Sequence, residues 1–291
     1  MPTAGQPNSL DSRPRRALRS RRIGHNNNGT ALRRRFCDTA LGQVHCVETG
    51  LQEGMPLLLL HQTPRSIDEY AEVLPLLAPS LRIVAVDTPG YGASDPVAGQ
   101  PDISDYASAM IEVLNELRID KAVILGHHTG GLIAVEVAAS HPTRVERLCL
   151  SGPIFMDAEA RARLFPLFKQ WRVKEDGTHL QAKWDAMHGW LPQPALVHRF
   201  VVDVLRAGET SEQGHFAAAS YAMEDRLPLV RCPGLLIFGR RDIFAAPEDA
   251  GAFRQVLQPC RETVIDAGMF PANEAPTAFA QAVLDYLGGP P

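Results

Sequence analysis

Short apolar runs alternate with stretches whose apolar residues recur every three or four positions along most of this chain. The runs at 43–48, 56–60, 81–86, 122–125, 148–150, 235–238 and 263–265 are short and rich in Val, Ile and Leu, which predicts strands. Helical spacing at 66–77, 103–117, 130–140 and 277–287 predicts helices. Strands alternating with helices predict an α/β domain with a mostly parallel central sheet, because each parallel connection must be long enough to hold a helix.

Residues 154–229 interrupt the rhythm. They carry Phe155, Phe165, Phe168, Trp171, Trp184, Trp190 and Phe200 at helical spacing, with no strand signal. A helical lid inserted between two strands is expected. Some of these aromatics must pack on the domain beneath. Trp171, Trp184 and Trp190 are the candidates for a pocket lining, since ligand pockets are mostly apolar with a few polar anchors.

Composition narrows the class. At 291 residues, 45% hydrophobic and 21% charged, the chain suits one large globular domain. No run approaches the roughly 18 apolar residues of a membrane span. The net charge of −4 is uneven: residues 1–35 hold nine arginines and one acid, which leaves 20 basic and 32 acidic residues beyond them. So acidic a body argues against a nucleic-acid partner. Residues 1–35 read as a disordered basic extension, with a transit peptide or an anion-binding arm as alternatives. The core is expected at 36–153 and 230–291. Five cysteines without a CxxC pair suit a reducing, cytoplasmic setting.

The most informative segment is Ala122-Val123-Ile124-Leu125-Gly126-His127-His128-Thr129-Gly130-Gly131. A buried strand runs into a glycine-bracketed turn and then a helix, the setting of a nucleophile elbow. Here the chain resembles the α/β-hydrolase family of lidded esterases, dehalogenases and epoxide hydrolases, over about residues 36–288. His61-Gln62-Thr63-Pro64 is similar to the family's His-Gly-x-Pro. Asp87-Thr88-Pro89-Gly90-Tyr91-Gly92-Ala93-Ser94-Asp95 is similar to its D-x-P-G-x-G-x-S-D loop. Gly239-Arg240-Arg241-Asp242 follows the strand that supplies the triad acid, and Ala267-Gly268-Met269-Phe270-Pro271 resembles the segment that supplies the triad histidine.

Two of the three triad positions depart from the family. His128 stands where a Ser, Cys or Asp is usual, and Met269 stands where the histidine is usual; only Asp242 fits. A serine mechanism therefore lacks its parts. The expected arrangement is a His128–Asp242 dyad in which the carboxylate orients the ring and the other nitrogen acts as a general base. The resemblance implies an oxyanion hole from the backbone N–H groups of Thr63 and Thr129. His61, Gln62 and Met269 complete the candidate pocket. Such a site suits ester or lactone hydrolysis, or related lyase chemistry, on a small apolar carbonyl compound. The alternative is a non-catalytic ligand-binding or sensor protein. No metal or cofactor motif is present, and a homodimer is left open.

Overall fold

The computed structural model describes residues 32–289 apart from 165, 167, 168 and 192. The extension before residue 32, Phe165 and Phe168 lie outside the described residues. Eight strands form one sheet: β1 Arg33–Thr39, β2 Gly42–Gly50, β3 Pro56–Leu60, β4 Arg82–Val86, β5 Ala122–His127, β6 Val145–Ser151, β7 Gly234–Gly239 and β8 Cys260–Ile265. Their order is β1-β2-β4-β3-β5-β6-β7-β8. β2 is antiparallel to both β1 and β4, and every later pairing is parallel.

The central strands are apolar because both of their faces are covered. Leu57, Leu58, Leu59 and Leu60 of β3 are each 1% exposed or less, and burying each such side chain contributes about 1.5–3 kcal/mol relative to leaving it in water. Leu58 and Leu60 pack toward the helices Ile103–Glu116 and Thr129–Ser140, whereas Leu57 and Leu59 pack toward the helix Pro276–Gly288. The parallel strands all end at one edge of the sheet, and the loops that leave that edge carry the candidate site.

Two expectations are corrected. Residues 33–35, assigned to the extension, are the first part of β1. In that strand only Cys37 is buried, so the arginines hide the strand pattern. Charged residues on such an edge also oppose pairing with another chain. Residues 66–77 are not one helix but a 3-10 turn, Ile67–Tyr70, followed by a short helix, Leu74–Leu77. Pro75 lacks an N–H, and its ring would meet the carbonyl of Ala71 in a continuous helix.

Between β6 and β7 the described residues form only helices and loops, including Ala158–Leu164, Thr178–His188, Pro194–Ala207 and Gln213–Ser220. A buried polar cluster ties this insertion to the sheet. Arg65, in the loop after β3, donates from Nε to Asp203 Oδ2 at 2.9 Å and from Nη1 to Asn273 Oδ1 at 3.3 Å. Its guanidinium carbon lies 5.0 Å from the centre of the Phe200 ring. Asp203 and Phe200 sit on the helix Pro194–Ala207, and Asp203 also accepts the Ser66 hydroxyl at 2.8 Å. Among the described residues no helix is long and apolar enough to cross a membrane.

The Arg65 and Asp203 side chains are 2% and 5% exposed. Without the Asp203 charge, buried Arg65 keeps only the part-exposed Asp68, 3.2 Å from its Nη2, so Asp203→Asn is expected to lower unfolding stability by about 3 kcal/mol. Urea denaturation checks this.

Candidate active site

His128 follows β5 directly and precedes the helix Thr129–Ser140. Its backbone sits at φ 44° and ψ −111°, a region that a side chain with a Cβ rarely adopts and that costs on the order of 1–3 kcal/mol. The turn is held from both sides. The His128 N–H donates to the Ser151 carbonyl at 3.0 Å, and its own carbonyl accepts from Gly131 N–H at 2.8 Å. The strain lifts the imidazole above the end of the sheet.

There it meets the loop after β7. His128 Nε2 lies 2.9 Å from Asp242 Oδ2. A carboxylate only accepts, so Nε2 carries the proton and Nδ1 holds the lone pair. The second carboxylate oxygen accepts the Phe244 N–H at 2.9 Å. The Asp242 side chain is fully buried and that of His128 is 9% exposed. Nδ1 has no hydrogen-bond partner among the described residues, and it is not closed off from solvent. Phe244 covers the ring edge-on, with centroids 6.4 Å apart.

Two further histidines brace the site. His127 stacks on His128 at 4.2 Å between centroids. Burial above all, and then His128, hold its ring well below the usual histidine range. Its Nε2 lies 2.9 Å from the Met269 carbonyl, and its Nδ1 lies 3.0 Å from both the carbonyl and the hydroxyl of Ser151. It thus fastens the elbow to the loop after β8. His61 donates from Nδ1 to the Gln62 carbonyl at 2.8 Å and accepts Thr88 N–H on Nε2 at 2.9 Å. Burial lowers its pKa as well.

A cavity of about 240 Å³ opens over the dyad. Its floor includes Gln62, Thr63, His128 and Thr129, and its apolar walls include Leu132, Trp190, Phe200, Phe244, Met269 and Phe270. Neither Thr63 N–H nor Thr129 N–H is bonded to another group among the described residues. Both can therefore be offered to a ligand oxygen.

The family model for the alpha/beta hydrolase fold matches residues 55–270, well over half of the chain. This chain belongs to the α/β-hydrolase family. It is 34% identical to a fluoroacetate dehalogenase of Burkholderia over 122 residues, 40% of either protein. It is 22% identical to an (E)-2-((N-methylformamido)methylene)succinate hydrolase of Acinetobacter baylyi over 205 residues, 68% of this chain and 76% of that one. A hydrolase structure from Pseudomonas aeruginosa superposes with a TM-score of 0.76 at 23% identity, covering 88% of this chain and 98% of that chain. The matched stretch spans less than half the length of the dehalogenase. The named relatives are hydrolases and dehalogenases.

Gln62, Met269 and Trp190 line the cavity as expected, but three pocket candidates do not. His61 spends both ring nitrogens on its own loop. Trp171 donates its indole N–H to Ser211 Oγ at 2.5 Å and stacks on His179. Trp184 packs with Val197, Phe200 and their neighbours inside the insertion. Both tryptophans serve packing because the insertion needs its own small core. Sequence reasoning missed Lys183, Glu212, His215 and Phe244, which all line the cavity. For Glu212 and His215 the available signal was a polar i, i+3 pair in an aromatic-rich segment.

It also missed Gly152. This residue sits at φ +56° beside the dyad, and a Cβ there would fall 2.3 Å from His128 Cδ2 and 2.5 Å from Nε2. Gly152→Ala is expected to cost about 1–3 kcal/mol through overpacking and to separate the pair. The downfield Nε2–H proton resonance of His128, expected in the parent by NMR, should then vanish.

Behind the floor lies Glu69, 1% exposed. Its Oε2 accepts Gln62 N–H at 3.2 Å, and its Oε1 has no partner among the described residues. Burial outweighs the nearby Arg65 and pushes its pKa up to about 7. Between about pH 4.5 and 7 the folded protein keeps a proton that the unfolded chain has lost, so this contribution to stability fades as pH rises through 7. Glu69→Gln should lose less stability between pH 5 and pH 8 than the parent in urea titrations.

Proposed function

We propose that this α/β-hydrolase is a cofactor-free enzyme acting on a small, largely apolar carbonyl compound, an ester or lactone, with His128 as its general base. One observation carries the reading: the elbow imidazole, which lines the cavity, has a buried carboxylate on Nε2 and no hydrogen-bond partner on Nδ1 among the described residues. A proton-bearing Nε2 held by Asp242 fixes the tautomer and leaves the lone pair on Nδ1.

In the proposed reaction Nδ1 takes a proton from water. The water oxygen forms a bond to the acyl carbon, and the carbonyl electron pair moves onto its oxygen. The N–H groups of Thr63 and Thr129 receive that negative charge, a contribution of about 3–4 kcal/mol to a transition state when the donors are preorganised. Collapse of the adduct restores the carbonyl and breaks the bond to the leaving oxygen, which takes up a proton. The apolar walls keep the reacting groups out of bulk water and favour a substrate that is apolar apart from the carbonyl.

The relative named as a succinate-derivative hydrolase supports hydrolysis, and both it and the fluoroacetate dehalogenase are named for small-molecule substrates. The dyad supports a base rather than an elbow nucleophile, because no second base is hydrogen-bonded to His128.

A panel of aryl esters and lactones tests this reading. His128→Gln is expected to lower kcat/KM by about 10³-fold and Asp242→Asn by a smaller factor, within the range of general-base catalysis. Unchanged turnover in both variants would exclude the dyad. A parent that binds panel compounds but turns over none would mark a binding protein instead.

A further inference from the structure

Two thiols meet between β1 and β2, and neither lines the cavity. Cys37 and Cys46 are 3% and 0% exposed, and their sulfurs lie 3.9 Å apart. The strands are antiparallel, with Cys37 opposite Val44 and Cys46 opposite Arg35. The cysteines are therefore diagonal neighbours. Both project to the sheet face packed by the helix Ile103–Glu116.

The pair is not symmetrical. The Cys46 S–H donates to the Cys37 sulfur, and this bond holds the Cys37 thiol below the ordinary range. Burial, Glu116 and Glu48 act against it, and Arg35 acts with it. The same bond and burial push the Cys46 thiol up. Burial also raises Cys149, Cys232 and Cys260, the last two to about 11. The thiolate is the form that attacks an oxidant, so Cys37 is favoured over the other four cysteines.

Access comes through the strand itself. β1 lies at one edge of the sheet and pairs with β2 alone among the described strands. Arg33, Arg34, Arg35 and Phe36 are exposed, and Cys37 is the one buried residue of β1. Opening such a strand breaks a single ladder and uncovers little apolar surface, so it belongs among the low-energy fluctuations of a fold. The same freedom lets the sulfurs close from 3.9 Å to the about 2.0 Å of a disulfide.

We propose that Cys37 and Cys46 are a peroxide-sensitive thiol pair that closes reversibly to a disulfide between β1 and β2. The Cys37 sulfur attacks one oxygen of hydrogen peroxide, and the O–O bond breaks. The departing hydroxide takes the proton of the Cys37 thiol and leaves as water, and Cys37 becomes a sulfenic acid. The Cys46 sulfur then attacks the Cys37 sulfur and the S–O bond breaks. The second hydroxide takes the Cys46 proton and also leaves as water. Two thiols have given up two electrons and the peroxide has accepted them; a dithiol reductant returns them. The bond ties the edge strand to its neighbour across the β1–β2 turn. The proposal does not depend on the reading of His128.

Mass spectrometry of the full chain tests it. Fully reduced, dilute protein is treated with hydrogen peroxide, alkylated with iodoacetamide under denaturing conditions, and cut before Asp38, which separates the two cysteines. The parent is expected to lose two of its five free thiols. Before alkylation its mass should fall by about 2 Da, the two thiol hydrogens. The fragments carrying Cys37 and Cys46 should run as one species that dithiothreitol separates. In Cys46→Ala no link forms, and dimedone should trap the sulfenic acid on Cys37. Retention of all five thiols by the parent would overturn the proposal. So would a link that includes Cys149, Cys232 or Cys260, or a sulfinic acid on Cys37 with Cys46 still free.

Discussion

A single hydrogen bond, 2.9 Å between His128 Nε2 and Asp242 Oδ2, joins the ends of β5 and β7 and gives the site its shape. Each side of it is held by something else. The elbow keeps His128 in an unfavourable backbone region because Ser151 and Gly131 secure the turn. The Phe244 N–H holds the second oxygen of Asp242, so the carboxylate cannot rotate away. Gly152 leaves the space that the imidazole edge occupies. Without these supports the long side chain at the elbow would have several rotamers, and no nitrogen would be committed to the cavity.

The elbow imidazole extends far enough to meet Asp242 itself, and Met269, an adaptable apolar side chain, lies in the cavity wall. His127 then links the two regions by its bond to the Met269 carbonyl. That contact helps to keep the loop after β8 in place.

The insertion takes part in the site in two ways. Its apolar residues close the cavity over the dyad, and its Lys183–Glu212–His215 cluster adds the only charged lining groups found on that side among the described residues. Arg65 and Asp203 fix the insertion to the loop after β3, the same loop that carries Thr63. The insertion and the loop that carries Thr63 are thereby tied together beside the cavity.

The amino-acid sequence by itself determined the α/β alternation and the strand–turn–helix of the elbow, and it marked His128, Asp242 and Met269 as residues at positions that resemble the family's motifs. These are local matters, because hydrophobic period, glycine placement and motif order are written in consecutive residues. β1 escaped notice because three arginines obscure an edge strand with one buried side chain. Which of the aromatics reach the cavity was decided only by tertiary packing: Trp190 lines it while Trp171 and Trp184 pack elsewhere, at spacings no sequence period separates. The same holds for Glu212 and His215, which stand 84 and 87 positions beyond His128 and share its cavity only because a helical insertion folds back over the sheet.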